Sequence, residues 1–260
     1  MKSPRAVAGS FMHQVNVAAV LEVIRQDGPI SRTEIASILN VSLPTVMRIV
    51  DELVRNHFVR NLGSVEPSGG RPRPLLEVDP HSRTVIGCDL SGRHMYGALV
   101  GLDGTILDEM TVPRADLKGE AAFDQLVNMI QQLMHSPNSA RGMLSGIGIG
   151  APGATQHREG VITWAPSLDW RNYPLRDRLE NRFGLPIIVD TDVKLSTLGE
   201  HWYGHGRGVQ NMVFITMAVG LGAGLLINGL LYRGHTETSG EIGYFLPGRE
   251  YLGRVYDRFG

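Results

Sequence analysis

The first 80 residues have the hydrophobic spacing of short amphipathic helices followed by strands. Apolar side chains recur every three or four residues between Phe11 and Arg25, and the sequence 27–29, Asp-Gly-Pro, predicts the end of this helix. A second helix is predicted within 31–40, because Ser31 and Glu34 have the spacing of a capping box. Its buried face is expected to contain Ile35, Ile38 and Leu39.

A third helix is predicted to begin at Ser42, a favourable N-cap residue, after a very short turn. Its apolar face comprises Val46, Ile49, Val50 and Leu53. A strand, a loop rich in Gly, Pro and Ser, and a second strand over Pro74–Val78 follow. Helices, turn and hairpin in this order predict a winged helix-turn-helix.

The predicted head contains polar side chains suited to nucleic acid. Met1–Leu76 holds nine basic residues against six acidic ones, although the whole chain has a net charge of −1. This excess of positive charge favours a polyanionic partner for the first segment alone. Candidate DNA contacts are Ser42, Thr45 and Arg48 on the third helix, and Arg71 and Arg73 in the wing. A helical interaction module with a solvated basic loop is the alternative.

Beyond Pro80 the pattern changes to strands separated by glycine turns and helices. TVIGCDL, MYGALVGL and GTILDEMTV predict three successive strands, and Ala121–Met134 predicts a helix. SGIGIGAPG and PIIVDTD predict buried strands, the latter followed by a helix from Val193 towards Glu200. This alternation favours an α/β nucleotide-binding lobe. The single cysteine, Cys88, lies in an apolar strand and is expected to be a small buried residue.

The uncharged stretch Met212–Leu231 is long enough to approach a membrane span. Three glycines interrupt it, and Asn228-Gly229 is a strong hairpin signal, so strands are the favoured interpretation. The first residues contain no apolar core of a signal peptide. We therefore expect a cytoplasmic protein without a membrane segment.

Six motifs together resemble the ROK family of repressors, open reading frames and kinases. They are DLSGRHMYGALVGLDG, GIGIGAPG, WAPSLDW, VDTDVKLSTLGEHWYGHGRG, VGLGAGLLINGLLYRG and SGEIGY. The resemblance implies an α/β fold in which a winged helix-turn-helix over 1–79 precedes the actin-like ATPase (ribonuclease H-like) fold of sugar kinases. The first lobe is expected over 80–200 and the second from 201 to 260. Family members run well past this point, so the second lobe is expected to be incomplete.

Both phosphate loops depart from the kinase pattern. The first family loop reads D-x-G-G-T-K; Asp89 and Gly92 remain here, whereas Ser91, Arg93 and His94 replace the first glycine, threonine and lysine. Side chains in such a turn obstruct the approach of a phosphate to the backbone. The second loop, usually G-T-G-x-G-x-G, reads AVGLGAG over 218–224, so the threonine hydroxyl is lost while Gly220 and Gly222 remain. The resemblance thus implies no ATP hydrolysis and no cofactor. The glycines serve either close packing or residual anion binding.

The sugar side matches the family in part. Asp192 matches the general base of the kinases, and Glu241 matches a sugar-binding glutamate. Thr191 and Lys194 replace neighbouring asparagines, and we expect Lys194 to pair with Asp192 and lower its basicity. Alternatively, Asp192 is only a helix N-cap and Glu241 a solvated loop carboxylate.

No metal site is expected. Tyr244 replaces the family's zinc-binding histidine, and the associated cysteine cluster is missing from the sequence. His201 and His205 have the i, i+4 spacing of a helical metal pair, but Gly204 and Gly206 argue against a helix there.

The resemblance implies a transcriptional regulator of carbohydrate metabolism, most simply a repressor. Its expected partners are operator DNA and a sugar or sugar-phosphate effector bound by Thr191, Asp192 and Glu241. Paired heads on a two-fold operator imply a homo-oligomer. Two alternatives stay open: an ATP-dependent sugar kinase, and a regulator controlled by a protein partner without a small-molecule ligand.

Overall fold

The computed structural model describes residues 4–65, 73–80, 82–114, 116–217 and 220–244. The chain forms two compact units. One unit comprises Met1–Thr84 with Val100–Thr105 and Ala140–Met143, and the other comprises the remaining residues. The sequence-based domain limits 1–79, 80–200 and 201–260 stay predictions.

The first unit contains three helices and a three-stranded sheet. The helices are α1 (Pro4–Asp27), α2 (Arg32–Leu39) and α3 (Leu43–Arg55). The strands are β1 (Ile30–Ser31), β2 (Val59–Val65) and β3 (Arg73–Val78), in the antiparallel order β1-β3-β2. This arrangement is the predicted winged helix-turn-helix.

The local signals in this unit act as predicted, with one exception. Helix α1 ends at Asp27, and Ser31 and Glu34 form both hydrogen bonds of the capping box. The core contains all four predicted α3 residues and Ile35 of α2. Ile38 is 54% exposed, so its predicted burial is wrong: the covered stripe of the short helix α2 is narrower than its apolar stripe.

The second unit is built on a five-stranded sheet. Its strands are β4 (Arg83–Asp89), β5 (His94–Gly101), β6 (Ile106–Pro113), β7 (Met143–Ala151) and β11 (Ile187–Thr191). Their order in the sheet is β11-β7-β4-β5-β6. Strands β7 and β11 are parallel, with Thr191 opposite Ala151. Three helices accompany the sheet: α4 (Gly119–Met134), α5 (Leu175–Phe183) and α6 (Asp192–Tyr203).

Two smaller antiparallel sheets complete this unit. The first contains β8 (Ala154–Gln156), β9 (Val161–Ala165) and β10 (Trp170–Tyr173). The second contains β12 (Met212–Met217), β13 (Leu221–Ile227) and β14 (Leu230–Tyr232). Asn228 and Gly229 connect β13 to β14 with φ of 52° and 75°, as the predicted two-residue hairpin requires.

Burial follows the predicted strand pattern. Side chains in β4 alternate between half-buried and buried, and Cys88 lies in the core. Burial raises the pKa of the Cys88 thiol to about 12, and the charge of Asp89 acts in the same direction.

Within the described residues no helix combines the length and the apolar character needed to cross a membrane. Met212–Leu231 instead forms the β12–β14 sheet.

Candidate functional site

Helix α3 presents a polar surface at its start. Ser42 is its N-cap, and the Ser42 and Thr45 hydroxyls lie 2.8 Å apart. Ser42 and Arg48 are exposed and Thr45 is half-buried, whereas the opposite side of the helix enters the core. These three predicted residues therefore lie in the first two turns of α3, on the side away from the core, and their contact with DNA stays a prediction.

The acidic residues further along α3 have basic partners. Asp51 pairs with Arg32 at 3.3 Å, and its carbonyl oxygen accepts a hydrogen bond from Arg55. Glu52 lies 3.0 Å from the ring of His13. The two arginines offset the negative charge of Asp51, which would repel a polyanion.

The wing hairpin is formed by β2 and β3, with Val65 opposite Arg73. Arg60 and Glu77 pair across the hairpin at 2.5 Å. Arg71 lies outside the described residues, and the side chain of Arg73 lies outside them too, although its backbone begins β3. Their contribution to DNA binding stays a prediction.

The first phosphate turn is occupied by its own side chains. The Asp89 carboxylate accepts the backbone N–H of Ser91 at 2.9 Å, and the Ser91 side chain lowers the pKa of Asp192. One amide that a phosphate would need is thereby engaged. Arg93 is exposed, and Gly92 has no atom within 3.5 Å of an added Cβ, so packing does not require glycine there.

Glycines of the second loop have a packing role. A Cβ on Gly222 would lie 2.9 Å from a methyl group of Val193, and one on Gly224 would overlap Thr197. Both contacts are with α6, which approaches β13 closely because these positions lack side chains. Gly220 has no neighbour within 4 Å, and residues 218 and 219 lie outside the described chain. Packing thus explains Gly222 and Gly224, but not Gly220.

Asp192 lies in a largely buried, acidic environment. Burial raises its pKa to about 6, with the charges of Asp89 and Glu241 acting in the same direction. Hydrogen bonds from the Val193 amide and the Ser91 hydroxyl oppose this increase. The fold thus brings together three sequence-predicted carboxylates that are far apart in the chain.

Thr191 precedes Asp192 at the junction of β11 and α6. It is buried, and its N–H donates to the Asp190 carboxylate at 2.8 Å. Thr191 is the N-cap of α6 and Asp192 is the first helical residue, so the N-cap alternative for Asp192 is wrong by one position. Because α6 begins directly after β11, Asp192 lies at the carboxyl end of that strand, where ligands bind in open α/β folds.

The expected Lys194–Asp192 pair is wrong. Residues two apart in a helix point about 200° apart around its axis, so they do not face each other. Lys194 is buried, and its ammonium group donates to the carbonyl oxygen of Glu237. Burial lowers the pKa of Lys194, and the charge of Asp190 opposes this change.

Sequence reasoning missed a charged cluster next to Asp192. Asp190 is buried, with a carboxylate oxygen 2.5 Å from a guanidinium nitrogen of Arg233 and 3.6 Å from the ring of His157. The backbone N–H of His157 donates to the Glu237 carboxylate. A charged residue inside the buried VDT strand was the available signal, but its partners are distant in sequence.

Glu241 is exposed in the loop after β14. Its pKa is raised by partial desolvation, while Lys194 lowers it. Because the Glu241 side chain is exposed, the alternative that it is only a solvated loop carboxylate stays open. Its charge nevertheless raises the pKa of Asp192.

His201 and His205 do not form a helical pair. The ring of His201 lies 3.0 Å from the carbonyl oxygen of Gly206, and α6 ends at Tyr203, before the exposed His205. Among the described residues no group of histidine, cysteine and carboxylate side chains has the arrangement of a metal site.

Comparisons with known proteins agree with this architecture. The ROK family model matches residues 85–252, and the winged helix-turn-helix DNA-binding model matches residues 19–60. A xylose repressor from Caldicellulosiruptor bescii is 31% identical over 240 residues, which cover 90% of this chain and 59% of the repressor. A glucokinase from Halalkalibacterium halodurans is 34% identical over 163 residues, covering 62% of this chain and 49% of the kinase.

The fold has a close counterpart among solved structures. A ROK family transcriptional regulator, homologous to the Mlc protein of Escherichia coli, superimposes with a TM-score of 0.80 at 24% identity, over 92% of this chain and 61% of the regulator. The chain spans about 60% of the length of the repressors it matches. The ROK family model matches more than half of the chain, and the winged helix-turn-helix model matches the region before it. The chain therefore belongs to the ROK family.

Proposed function

We propose that this protein is a DNA-binding repressor of sugar metabolism whose kinase-like unit senses a ligand instead of transferring phosphate. The observation that carries this proposal is the first phosphate turn, in which the Asp89 carboxylate accepts the Ser91 amide and Ser91 and Arg93 replace the glycine and threonine of the kinase loop. The repressor relatives, which match both parts of the chain, support the same assignment.

The DNA contacts are assigned to the start of α3 and to the wing. Ser42, Thr45 and Arg48 provide hydroxyl and guanidinium donors for base edges and phosphates. Arg71 and Arg73 provide the wing's positive charge for phosphates or the minor groove.

The effector is a sugar or sugar phosphate bound near Asp192, Glu241 and Thr191. Carboxylates suit this role because they accept hydrogen bonds from several hydroxyl groups. Binding shifts the population of conformations in a homo-oligomer, so that paired heads no longer match the operator spacing. This mechanism requires the effector to bind the two conformations with different affinity.

A sugar kinase is the second candidate, favoured by one observation. Asp192 has a pKa of about 6, a value suited to a general base near neutral pH. Against it stand the occupied first turn and the exposed Arg93 beside it.

Titration calorimetry with magnesium-ATP separates the two functions. We expect no binding to the unmodified chain and a gain of binding in a Ser91→Gly/Arg93→Thr variant, because the two side chains no longer obstruct the approach of a phosphate to the turn. The matched control is Arg207→Thr, which removes an exposed arginine elsewhere. Tight binding to the unmodified chain, followed by phosphorylation of a sugar, overturns the regulator assignment.

Calorimetry against a panel of sugars and sugar phosphates tests the sensor. Saturable binding that Asp192→Asn weakens supports it. A chain that binds operator DNA but no compound of the panel, with regulation restored by a protein, favours control by a protein partner.

A further inference from the structure

Helix α3 carries exposed apolar side chains as well as the polar ones described above. Leu43 is 39% exposed and Met47 is 47% exposed, although the core face of the same helix is fully buried. Pro44, which follows Leu43, is exposed too. We call Leu43, Pro44 and Met47 the α3 apolar patch. Neighbouring apolar side chains left in solvent beside polar ones indicate a surface that another molecule covers.

Helical geometry puts this patch on the same surface as the candidate DNA contacts. Leu43 and Met47 are four residues apart, so their side chains are neighbours on one face of the helix. Successive residues of a helix turn by about 100°, so Pro44 and Arg48 lie beside them, on the side away from the buried Ile49. A molecule that contacts Arg48 therefore also meets the patch.

The polar side chains at the start of α3 discriminate little between base pairs. The Ser42 and Thr45 hydroxyls lie 2.8 Å apart, so one of their two protons is used between them. A hydroxyl group binds to the edge of either kind of base pair. Arg48 is the only charged side chain between Leu43 and Val50. Sequence recognition by this part of α3 therefore needs contacts besides hydrogen bonds.

The major groove presents one apolar group, the C5-methyl of thymine. Contact with an exposed leucine or methionine side chain is favourable because it removes both apolar surfaces from water. The Cβ atoms of residues four apart in a helix are separated by about 5–6 Å, which is nearly two base-pair steps of about 3.4 Å each. The patch therefore fits two thymine methyl groups on neighbouring base pairs.

We propose that Leu43 and Met47 are specificity-determining residues that select an operator half-site by contacting the C5-methyl groups of thymine in the major groove. This inference rests on the DNA-binding function proposed above. It adds two residues to the sequence-predicted contacts Ser42, Thr45 and Arg48, and it assigns a base to them.

Replacement of thymine with deoxyuridine tests the proposal, because it removes the methyl group and leaves the hydrogen-bonding groups of the base unchanged. The full chain first selects a duplex from a random-sequence pool, and each thymine of that duplex is then replaced in turn. Fluorescence anisotropy measures the dissociation constants. We expect a loss of affinity of about fourfold for each contacted methyl group, at one or two neighbouring positions of each half-site.

Variants of α3 connect the effect to the two side chains. Leu43→Ala and Met47→Ala are each expected to abolish the discrimination between thymine and deoxyuridine at one of these positions. Both side chains are exposed, so the helix content measured by circular dichroism stays unchanged. The matched control is Met12→Ala, which removes a 56% exposed methionine of α1 in the same unit and leaves the discrimination intact.

Equal affinity for thymine and deoxyuridine at every position overturns the proposal and leaves DNA binding itself standing. Discrimination that persists in a Leu43→Ala/Met47→Ala double variant also overturns it, because other residues then contact the methyl groups. Failure to select any duplex contradicts the DNA-binding function, and this inference with it.

Discussion

Burial and neighbouring charges together raise the pKa of Asp192. Its neighbours Asp89 and Glu241 disfavour ionisation, and Ser91 stabilises the charged form. Perturbed pKa values of this kind cluster at functional sites.

Replacing Ser91 with alanine will raise the pKa of Asp192 above its value of about 6. The hydroxyl donates to the ionised carboxylate, so its loss removes a contact that favours the charged form. A carboxyl-carbon NMR titration measures this change. Ser196→Ala, on an exposed position of α6, is the control and leaves the pKa of Asp192 unaltered. An unchanged pKa in Ser91→Ala contradicts the assigned hydrogen bond.

Replacing Asp192 with asparagine will stabilise the fold at pH 7 but not at pH 3.5. The folded-state pKa of about 6 exceeds the ordinary value of 3.8, so the folded chain binds the proton more tightly and loses stability as pH rises from about 4 to 6. Asparagine removes this loss, which is worth between about 1 and 3 kcal/mol. Urea unfolding at both pH values measures the difference. An equal effect at pH 3.5 and 7 would show that ionisation is not its cause.

At the scale of elements, helix α6 and strand β13 depend on glycine for their close approach. Gly224 leaves no space for a methyl group beside Thr197, whereas Gly220 in the same loop has open space. Packing against α6 therefore requires a glycine at position 224 but not at position 220.

Gly224→Ala will destabilise the second unit by roughly 1–3 kcal/mol, the usual cost of overpacking. Gly220→Ala is the matched control and is expected to change the free energy of unfolding by less than about 0.5 kcal/mol, as at open surface positions. Denaturant unfolding monitored by circular dichroism compares the two. Similar losses in both variants would mean that chain conformation, not contact with Thr197, sets the requirement.

Local signals were sufficient to predict much of the fold. The capping box of α2, the core face of α3 and the Asn228-Gly229 hairpin each depend on residues close in sequence, and all three are confirmed. The burial of Ile38 was wrong, because helical periodicity does not tell how wide a stripe the neighbours cover. The sequence also gave no means to find the pair of Asp190 and Arg233, since strand and loop meet only in the folded chain.

At the scale of the whole molecule, two units with different chemistry share one chain. The basic head carries the α3 surface, and the kinase-like unit carries the acidic site around Asp192. If the first unit binds DNA and the second binds a sugar, substitutions in the first change the affinity for DNA, and substitutions in the second change the affinity for the sugar.

Arg48→Ala will weaken operator binding and reduce the salt dependence of the binding constant by about one unit of slope if the guanidinium contacts a phosphate. Fluorescence anisotropy at several salt concentrations measures both quantities. Arg207→Ala, which removes an exposed arginine of the second unit, is the control and leaves them unchanged. Equal losses in the two variants would point to net charge alone instead of a contact made by α3.

The self-capped turn of Asp89 and Ser91 has a consequence for what such a regulator reports. A sensor whose phosphate turn is closed by its own side chains does not compete for the cell's adenine nucleotides and spends none of them. If the second unit senses a sugar, as proposed above, the output follows the abundance of that sugar and not the energy state of the cell.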